Sequence, residues 1–185
     1  MKKLLITGAS GFLGWHCGLN QPPDWELIGT YLNNKGVHAG SKAIQLDLTQ
    51  KDEVWKAMKS IRPDAVFHLA AYSGTGFCEK HPDETMPLNV EATTLLAEMC
   101  GELKSKLLFT SSEQVFDGEK GHYIETDEPN PKNKYGQQKL AAEKAIHEML
   151  PESVILRIAV LFGQKPPTAK SFLTENHLLE VGGFN

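Results

Sequence analysis

The 185-residue chain has no cysteine pair at redox or metal spacing, no cluster of basic residues and no long hydrophobic run. Cys17, Cys78 and Cys100 are odd in number and far apart, which argues against a disulfide framework and for reduced thiols in a cytoplasmic setting. The seven histidines, at positions 16, 38, 68, 81, 122, 147 and 177, show no His-Glu-x-x-His spacing, so no metal is expected. Asp117, Glu119, Glu125, Asp127 and Glu128 form an acidic stretch that reads as an exposed loop. The net charge is -4 and the lysines are scattered, which excludes nucleic acid as the expected partner. The apolar run Leu4-Leu5-Ile6 stops at Thr7-Gly8, too short for a secretory signal or a membrane span, and reads as a first strand. No repeat or low-complexity segment interrupts the chain.

What remains is ordinary globular composition, 41% hydrophobic and 23% charged, enough for one domain with a sizeable core. Short apolar runs bounded by turn residues predict strands at Lys3 to Thr7, Glu26 to Tyr31, Ala43 to Leu46, Ala65 to Leu69, Lys106 to Thr110 and Ser153 to Ile158. Helical segments are expected at Gly11 to Leu19, after a capping box at Thr49-Gln50-Lys51-Asp52, from about Pro82 to Cys100, and from Asn133 to Leu150. In the last of these Leu140, Ile146 and Met149 should face the sheet, with lysines and glutamates outward. The alternation predicts α/β architecture: a doubly wound parallel sheet (Rossmann fold) in three α/β/α layers. The domain is expected over residues 1–163, followed by a short tail, 164–185, with a helix-like piece at Ser171 to Val181.

The first strand feeds Thr7-Gly8-Ala9-Ser10-Gly11-Phe12-Leu13-Gly14. Glycines at 8, 11 and 14 would let the backbone turn tightly, approach a pyrophosphate and pack the next helix, whose first amides face the phosphate charge. Glycine spacing alone is also met by a turn between any strand and helix. The second strand ends Thr30-Tyr31-Leu32-Asn33-Asn34-Lys35 without the acid that would bond a ribose 2′-hydroxyl and repel a 2′-phosphate, so the expected cofactor is NADP or NAD, leaning to NADP. His68, at a strand end, reads as a hydrogen-bonded pocket residue, and Trp15, Trp25 and Trp55 as packing residues. Glu79, Lys80 and His81 could edge a cleft or lie in a solvated loop.

Tyr135 and Lys139 lie four apart on a predicted helix, so they share a face. A phenol titrates near ~10 and serves as an acid or base at neutral pH when a neighbouring cation lowers that value; Lys139 is the expected cation. Ser112, after a strand, could hold a substrate oxygen beside the phenol.

Thr7 to Gly14, Asp47-Leu48, His68 to Ala71, Ser111 to Phe116, Tyr135 to Lys139 and Arg157 to Gly163 occur in an order that resembles the extended short-chain dehydrogenase/reductases. Ser112 to Gly118 and Cys78 to Pro82 look most like the dTDP-4-dehydrorhamnose reductase group within that branch. The resemblance implies that Gly8, Gly11, Phe12, Leu13 and Gly14 hold the pyrophosphate, that Asp47 and Leu48 flank the adenine, and that Leu69, Ala70 and Ala71 line the nicotinamide side. It also implies a catalytic set of Ser112, Tyr135 and Lys139, with Tyr135 and Lys139 also touching the cofactor. Glu113 and Gln114 depart from the group's usual Asp-Tyr. The implied function is a cytoplasmic NAD(P)-dependent oxidoreductase that reduces a keto group of a nucleotide sugar, and such enzymes often form homodimers. Extended enzymes are longer, and their C-terminal part supplies most of the sugar-nucleotide pocket, of which 164–185 would be a remnant. The alternative is a non-catalytic NAD(P)-binding regulatory protein resembling the β subunit of methionine adenosyltransferase.

Overall fold

Parallel strands bury both faces, and the short apolar runs of this chain assemble accordingly. The computed structural model describes residues 1–36 and 41–163. Six parallel strands, β1 (Lys2–Thr7), β2 (Trp25–Tyr31), β3 (Lys42–Gln45), β4 (Ala65–His68), β5 (Lys106–Ser112) and β6 (Val154–Ile158), form one sheet ordered β3-β2-β1-β4-β5-β6. This is the expected doubly wound sheet. β5 extends to Ser112, which pairs with Ile158, so Ser112 stands on the sheet rather than after it. The 164–185 tail and its helix-like piece lie outside the described residues.

Helices α1 (Phe12–Leu19), α2 (Lys51–Ile61), α3 (Thr75–Lys80), α4 (Pro82–Met86), α5 (Ala92–Leu103) and α6 (Lys134–Met149) connect the strands. α2, α5 and α6 cover one face, where Val54, Met58, Leu96, Met99, Ala142 and Ile146 meet Leu5, Val66, Leu107 and Phe109. A smaller cluster of Ile6, Ala9 and Leu27 lies apart from it, with Cys17 of α1 packed against it. On β6, Ile155 packs on the larger core while Val154 (48% exposed) and Leu156 (37%) alternate to the other face, so among the described residues the two faces are not equally covered.

Three local expectations are corrected. The capping box before α2 does not form: the Thr49 hydroxyl donates to Asp47 (2.7 Å), and Gln50 stands at the N-cap without a side-chain cap bond. The segment from Pro82 is not one regular helix, because Pro87 brings no amide hydrogen to the ladder; Pro87–Glu91 forms a wider π turn in which Ala92 N–H bonds the Pro87 carbonyl. In α6, Met149 is 44% exposed, whereas Lys139 and Glu143 are buried.

The Glu143 charge survives burial because an opposite group is placed beside it. The Glu143 carboxylate accepts three hydrogen bonds of 2.7 to 3.2 Å from Arg157 of β6. The Arg157 guanidinium also lies 4.9 Å from the centre of the Phe116 ring. Removing one partner of a buried pair leaves an uncompensated charge. Arg157→Met is therefore expected to lower the unfolding free energy by about 3 kcal/mol in urea titrations, with most of that loss recovered when Glu143→Gln is added.

Candidate functional site

The loop after β1 is held by contacts that only glycine allows. Gly8 has φ +66°, and a Cβ there would stand 2.9 Å from the Ala70 backbone. A Cβ on Gly14 would stand 2.5 Å from the Ala9 Cα, so α1 presses directly on the loop. The N-cap, Gly11, offers no side-chain bond to the first amides of α1. A cleft of about 540 Å³ opens here, lined by Gly8, Gly11, Phe12, Leu13 and Gly14, by Asp47 and Leu48, and by Leu69, Ala70 and Ala71. All ten sequence-predicted cofactor residues outside α6 therefore border one cavity. Tyr31 to Asn34 line its edge without an acid. Asp47 accepts bonds from the Thr49 amide and hydroxyl, and the Thr49 hydroxyl holds its carboxyl below the usual range despite opposing desolvation.

Behind the cleft, the polar groups form a chain whose proton positions follow from valence. The Thr7 hydroxyl accepts from the amides of Leu69 (3.1 Å) and Ala70 (3.3 Å), so its one proton goes to His68 Nδ1 at 2.6 Å. His68 Nε2 then carries the ring proton and donates to Thr93 Oγ1 at 2.9 Å, which donates to the Asn89 carbonyl at 3.0 Å. Burial, with the charge of Lys139 second, pushes His68 down to about 3, so its ring is neutral. The pocket-histidine reading of His68 agrees with this geometry.

Asn89, in the π turn, was not picked out from sequence. Its side chain bonds both backbone groups of Tyr72 (2.8 and 3.1 Å) and donates to Gln138 of α6 (2.8 Å), pinning the cleft-lining segment after β4. Gln138 continues to Thr85 and the Pro82 carbonyl. The available signal was a run of polar residues, Asn89, Thr93 and Gln138, at positions where a helix packs on others.

Ser112, Tyr135 and Lys139 lie beyond the residues that line the cleft. Ser112 caps the 3₁₀ turn Glu113–Val115, accepting from the Gln114 amide and donating to Glu113 Oε2 at 2.8 Å. Asn133 caps α6 through the Gly136 amide (2.8 Å) and donates to Gln114 Oε1 (2.8 Å). A Cβ on Gly136 would lie 2.1 Å from the Gln114 carbonyl oxygen, so α6 docks on this turn with no space between. Ser112 and Tyr135 are thereby brought to one junction, close enough for the Ser112 hydroxyl to act on the phenol.

Lys139 shares the buried face of α6 with Tyr135, as the four-residue spacing predicts. Its expected effect on the phenol is not seen. Burial, then the charges of Glu113 and Cys78, push the Tyr135 phenol up to about 12, against the opposing influence of the Ser112 hydroxyl. The Lys139 amine is buried 4.1 Å from the centre of the Phe109 ring, and desolvation takes it down to about 7 against the pull of Glu143. Among the remaining candidates, Glu79 accepts the Lys134 amide at 3.0 Å and so edges the start of α6. Asp117 accepts from Tyr123, Asn130 and the Glu119 amide, and no group able to hold a metal occurs among the described residues.

With this geometry in view, the pattern of the family described as RmlD substrate binding domain matches residues 1–178. Methionine adenosyltransferase 2 subunit beta from Danio rerio is 33% identical over 174 residues, which cover 94% of this chain and 52% of that protein. Among solved structures, a hypothetical dTDP-4-dehydrorhamnose reductase from Sulfolobus tokodaii is similar with a TM-score of 0.80 and 32% identity, over 90% of this chain and 58% of that one. The dTDP-4-dehydrorhamnose reductase of Bacillus anthracis, solved in complex with NADP, gives a TM-score of 0.78 at 27% identity, over 89% and 56%. The chain spans about half the length of the curated relatives it matches.

The neutral His68 makes a testable contribution to stability. Its value is lowered from 6.5 to about 3 on folding, so its contribution is complete above pH 6.5 and is lost as pH falls toward 3. Wild-type unfolding free energy should fall across that window with an added slope of up to about 1.4 kcal/mol per pH unit. Urea titrations of His68→Gln at the same pH values should lack this added slope.

Proposed function

Because the chain belongs to the RmlD substrate-binding-domain family, we propose that it binds a nicotinamide dinucleotide and reduces a keto group of a nucleotide sugar. The observation that carries this reading is the glycine-lined cleft after β1, together with the meeting of Ser112 and Tyr135 where α6 docks on the end of β5. The cleft suits the cofactor: its volume lies within the usual range for ligand sites, and the uncapped start of α1 borders it. When bound, the dinucleotide supplies the hydride.

The chain's own residues would do the rest. Gly8, Gly11, Phe12, Leu13 and Gly14 would hold the pyrophosphate, Asp47 and Leu48 the adenine end, and Leu69, Ala70 and Ala71 the nicotinamide end. Ser112 would orient the carbonyl oxygen, and Tyr135 would hand its proton to that oxygen. A phenol kept at about 12 is protonated throughout the physiological range, which suits a proton donor for reduction. Lys139, near 7 without cofactor, would gain charge beside polar ribose hydroxyls and then steady the phenolate left by proton transfer. The edge from Tyr31 to Asn34 has no acid to repel a 2′-phosphate, which favours NADP, the cofactor in the Bacillus anthracis structure.

A second reading is a cofactor-binding regulatory protein. It is supported by the likeness to methionine adenosyltransferase 2 subunit beta, together with the half-length span.

Calorimetric titration with NADPH and NADH, followed by reduction of a dTDP-4-keto sugar, separates these readings. Tyr135→Phe is expected to cut turnover by about 10²- to 10⁴-fold with cofactor affinity unchanged within about twofold. Equal turnover in the variant would remove the mechanism. Cofactor binding without turnover in wild type would favour the regulatory reading, and no binding of either nucleotide would sink both.

A further inference from the structure

Beyond the cleft residues Leu69 to Ala71, the chain presents aromatic rings to solvent. Tyr72 and Ser73 still border the cleft, and α3 begins two residues later. The rings of Tyr72 and Phe77 lie 5.6 Å apart, and that of Phe77 lies 4.7 Å from the His81 ring at 27°, so three rings form one series from the cleft mouth along α3. Tyr72 and Phe77 are 38% and 39% exposed, and His81 is exposed as well. Single exposed apolar side chains are ordinary, whereas a contiguous aromatic series beside a ligand cleft is a contact surface.

The series is fixed from below. Both backbone groups of Tyr72 bond the Asn89 side chain, and its carbonyl also accepts from Cys78 Sγ at 3.3 Å. The His81 amide donates to the Phe77 carbonyl at 2.9 Å. Rings held this way lose little freedom when a ligand stacks on them. Next to Phe77, Gly76 has no positive φ, and no described atom outside its own helix backbone and chain neighbours lies within 4 Å of where its Cβ would stand. Neither backbone conformation nor internal packing accounts for that glycine, which leaves the backbone bare beside the rings. Lys80, three residues after Phe77 and so beside it on the helix surface, is exposed and in no ion pair among the described residues. The neighbouring acids are engaged, Glu79 by the Lys134 amide and Glu84 by His81 at 3.6 Å, so the surface carries an unbalanced positive charge.

We propose that Tyr72 and Phe77 seat the base of the nucleotide sugar, with Lys80 meeting its diphosphate, an inference that rests on the reductase reading above. A nicotinamide dinucleotide brings two rings, adenine and nicotinamide, and that reading assigns them to Asp47 with Leu48 and to Leu69 through Ala71. A further aromatic surface at the cleft mouth fits the ring of a second nucleotide. Every nucleobase has a π-face, so stacking holds the base without reading its edge. The surface therefore takes a pyrimidine nucleoside diphosphate, with thymine or uracil alike, and leaves the choice of sugar to groups nearer Ser112 and Tyr135. Glu79 ties α3 to α6 through the Lys134 amide, one residue before Tyr135, so a base anchored on the rings is held in register with the phenol.

The first arm of the test needs no turnover. Protein in excess NADPH is titrated calorimetrically with dTDP, while the thymine H6 and methyl protons are followed by NMR; ring currents of Tyr72 and Phe77 should move them upfield. Phe77→Leu keeps apolar bulk and removes the ring, and should weaken dTDP about tenfold and erase most of the shift, while NADPH and inorganic pyrophosphate bind within about twofold of wild type. Gly76→Leu puts a better helix former where no described atom stands, so folding is kept, and should weaken dTDP by about the same factor by covering the bare backbone. Unchanged dTDP affinity in either variant, or no binding of dTDP to wild type, would overturn the proposal. An equal loss of NADPH affinity in Phe77→Leu would overturn it too, by assigning the rings to the cofactor. In turnover of a dTDP-4-keto sugar, Phe77→Leu should raise KM about tenfold. An unchanged KM would remove the base site and leave the reductase reading standing, whereas dTDP bound through the rings without turnover would keep the base site and remove that reading.

Discussion

Buried polar groups at the carboxyl ends of the strands have little water to turn to, and the architecture follows from the requirement that they satisfy one another. Thr7 on β1 can donate only to His68 on β4, and His68 can donate only to Thr93 on α5, because the other lone pairs and protons are already engaged. Asn89 extends the same logic to the backbone of Tyr72 and to Gln138 on α6. A sheet held by apolar packing alone would tolerate small slips between layers. This one does not, since a slip would leave several buried hydrogen bonds unmade at about 1–3 kcal/mol each. The platform beneath the glycine loop thus combines apolar packing with a closed set of side-chain hydrogen bonds.

The parts of this design that depend on periodicity were legible in the sequence. Strand runs such as Leu4-Leu5-Ile6 and the four-residue spacing of Tyr135 and Lys139 express local geometry, and they appear where the pattern put them. The glycine loop was legible for a similar reason: Gly14 meets a constraint set by the chain just before it, and Gly8 one set by the segment after a neighbouring strand. What could not be read was anything decided by a distant partner. Met149 looked like a core residue and is exposed, while Glu143 looked like a surface residue and is buried, because Arg157 on β6 awaits it. The Thr49 hydroxyl met all the local criteria for a helix cap, yet Asp47 two residues earlier captured it.

The electrostatics of the candidate site illustrate how burial can outweigh proximity. A lysine four residues from a tyrosine on one helical face was expected to lower the phenol's value, but desolvation acts on both groups and pushes each toward its neutral form. The pair therefore rests closer to its uncharged forms than the four-residue spacing alone suggests. The same low polarity strengthens the short contacts of Ser112 with Glu113 and of Asn133 with Gln114, which hold α6 to the end of β5.

The π turn at Pro87–Glu91 has a consequence for how such a chain can vary over evolutionary time. It contains one residue more per turn than the helices on either side, and that extra residue sets the angle at which Asn89 meets Tyr72. Loss of one residue there would restore an ordinary helix and remove the bulge that carries Asn89. The length of this stretch is therefore as binding as the identity of Asn89, since the bulge and the side chain it presents reach Tyr72 and Gln138 only together.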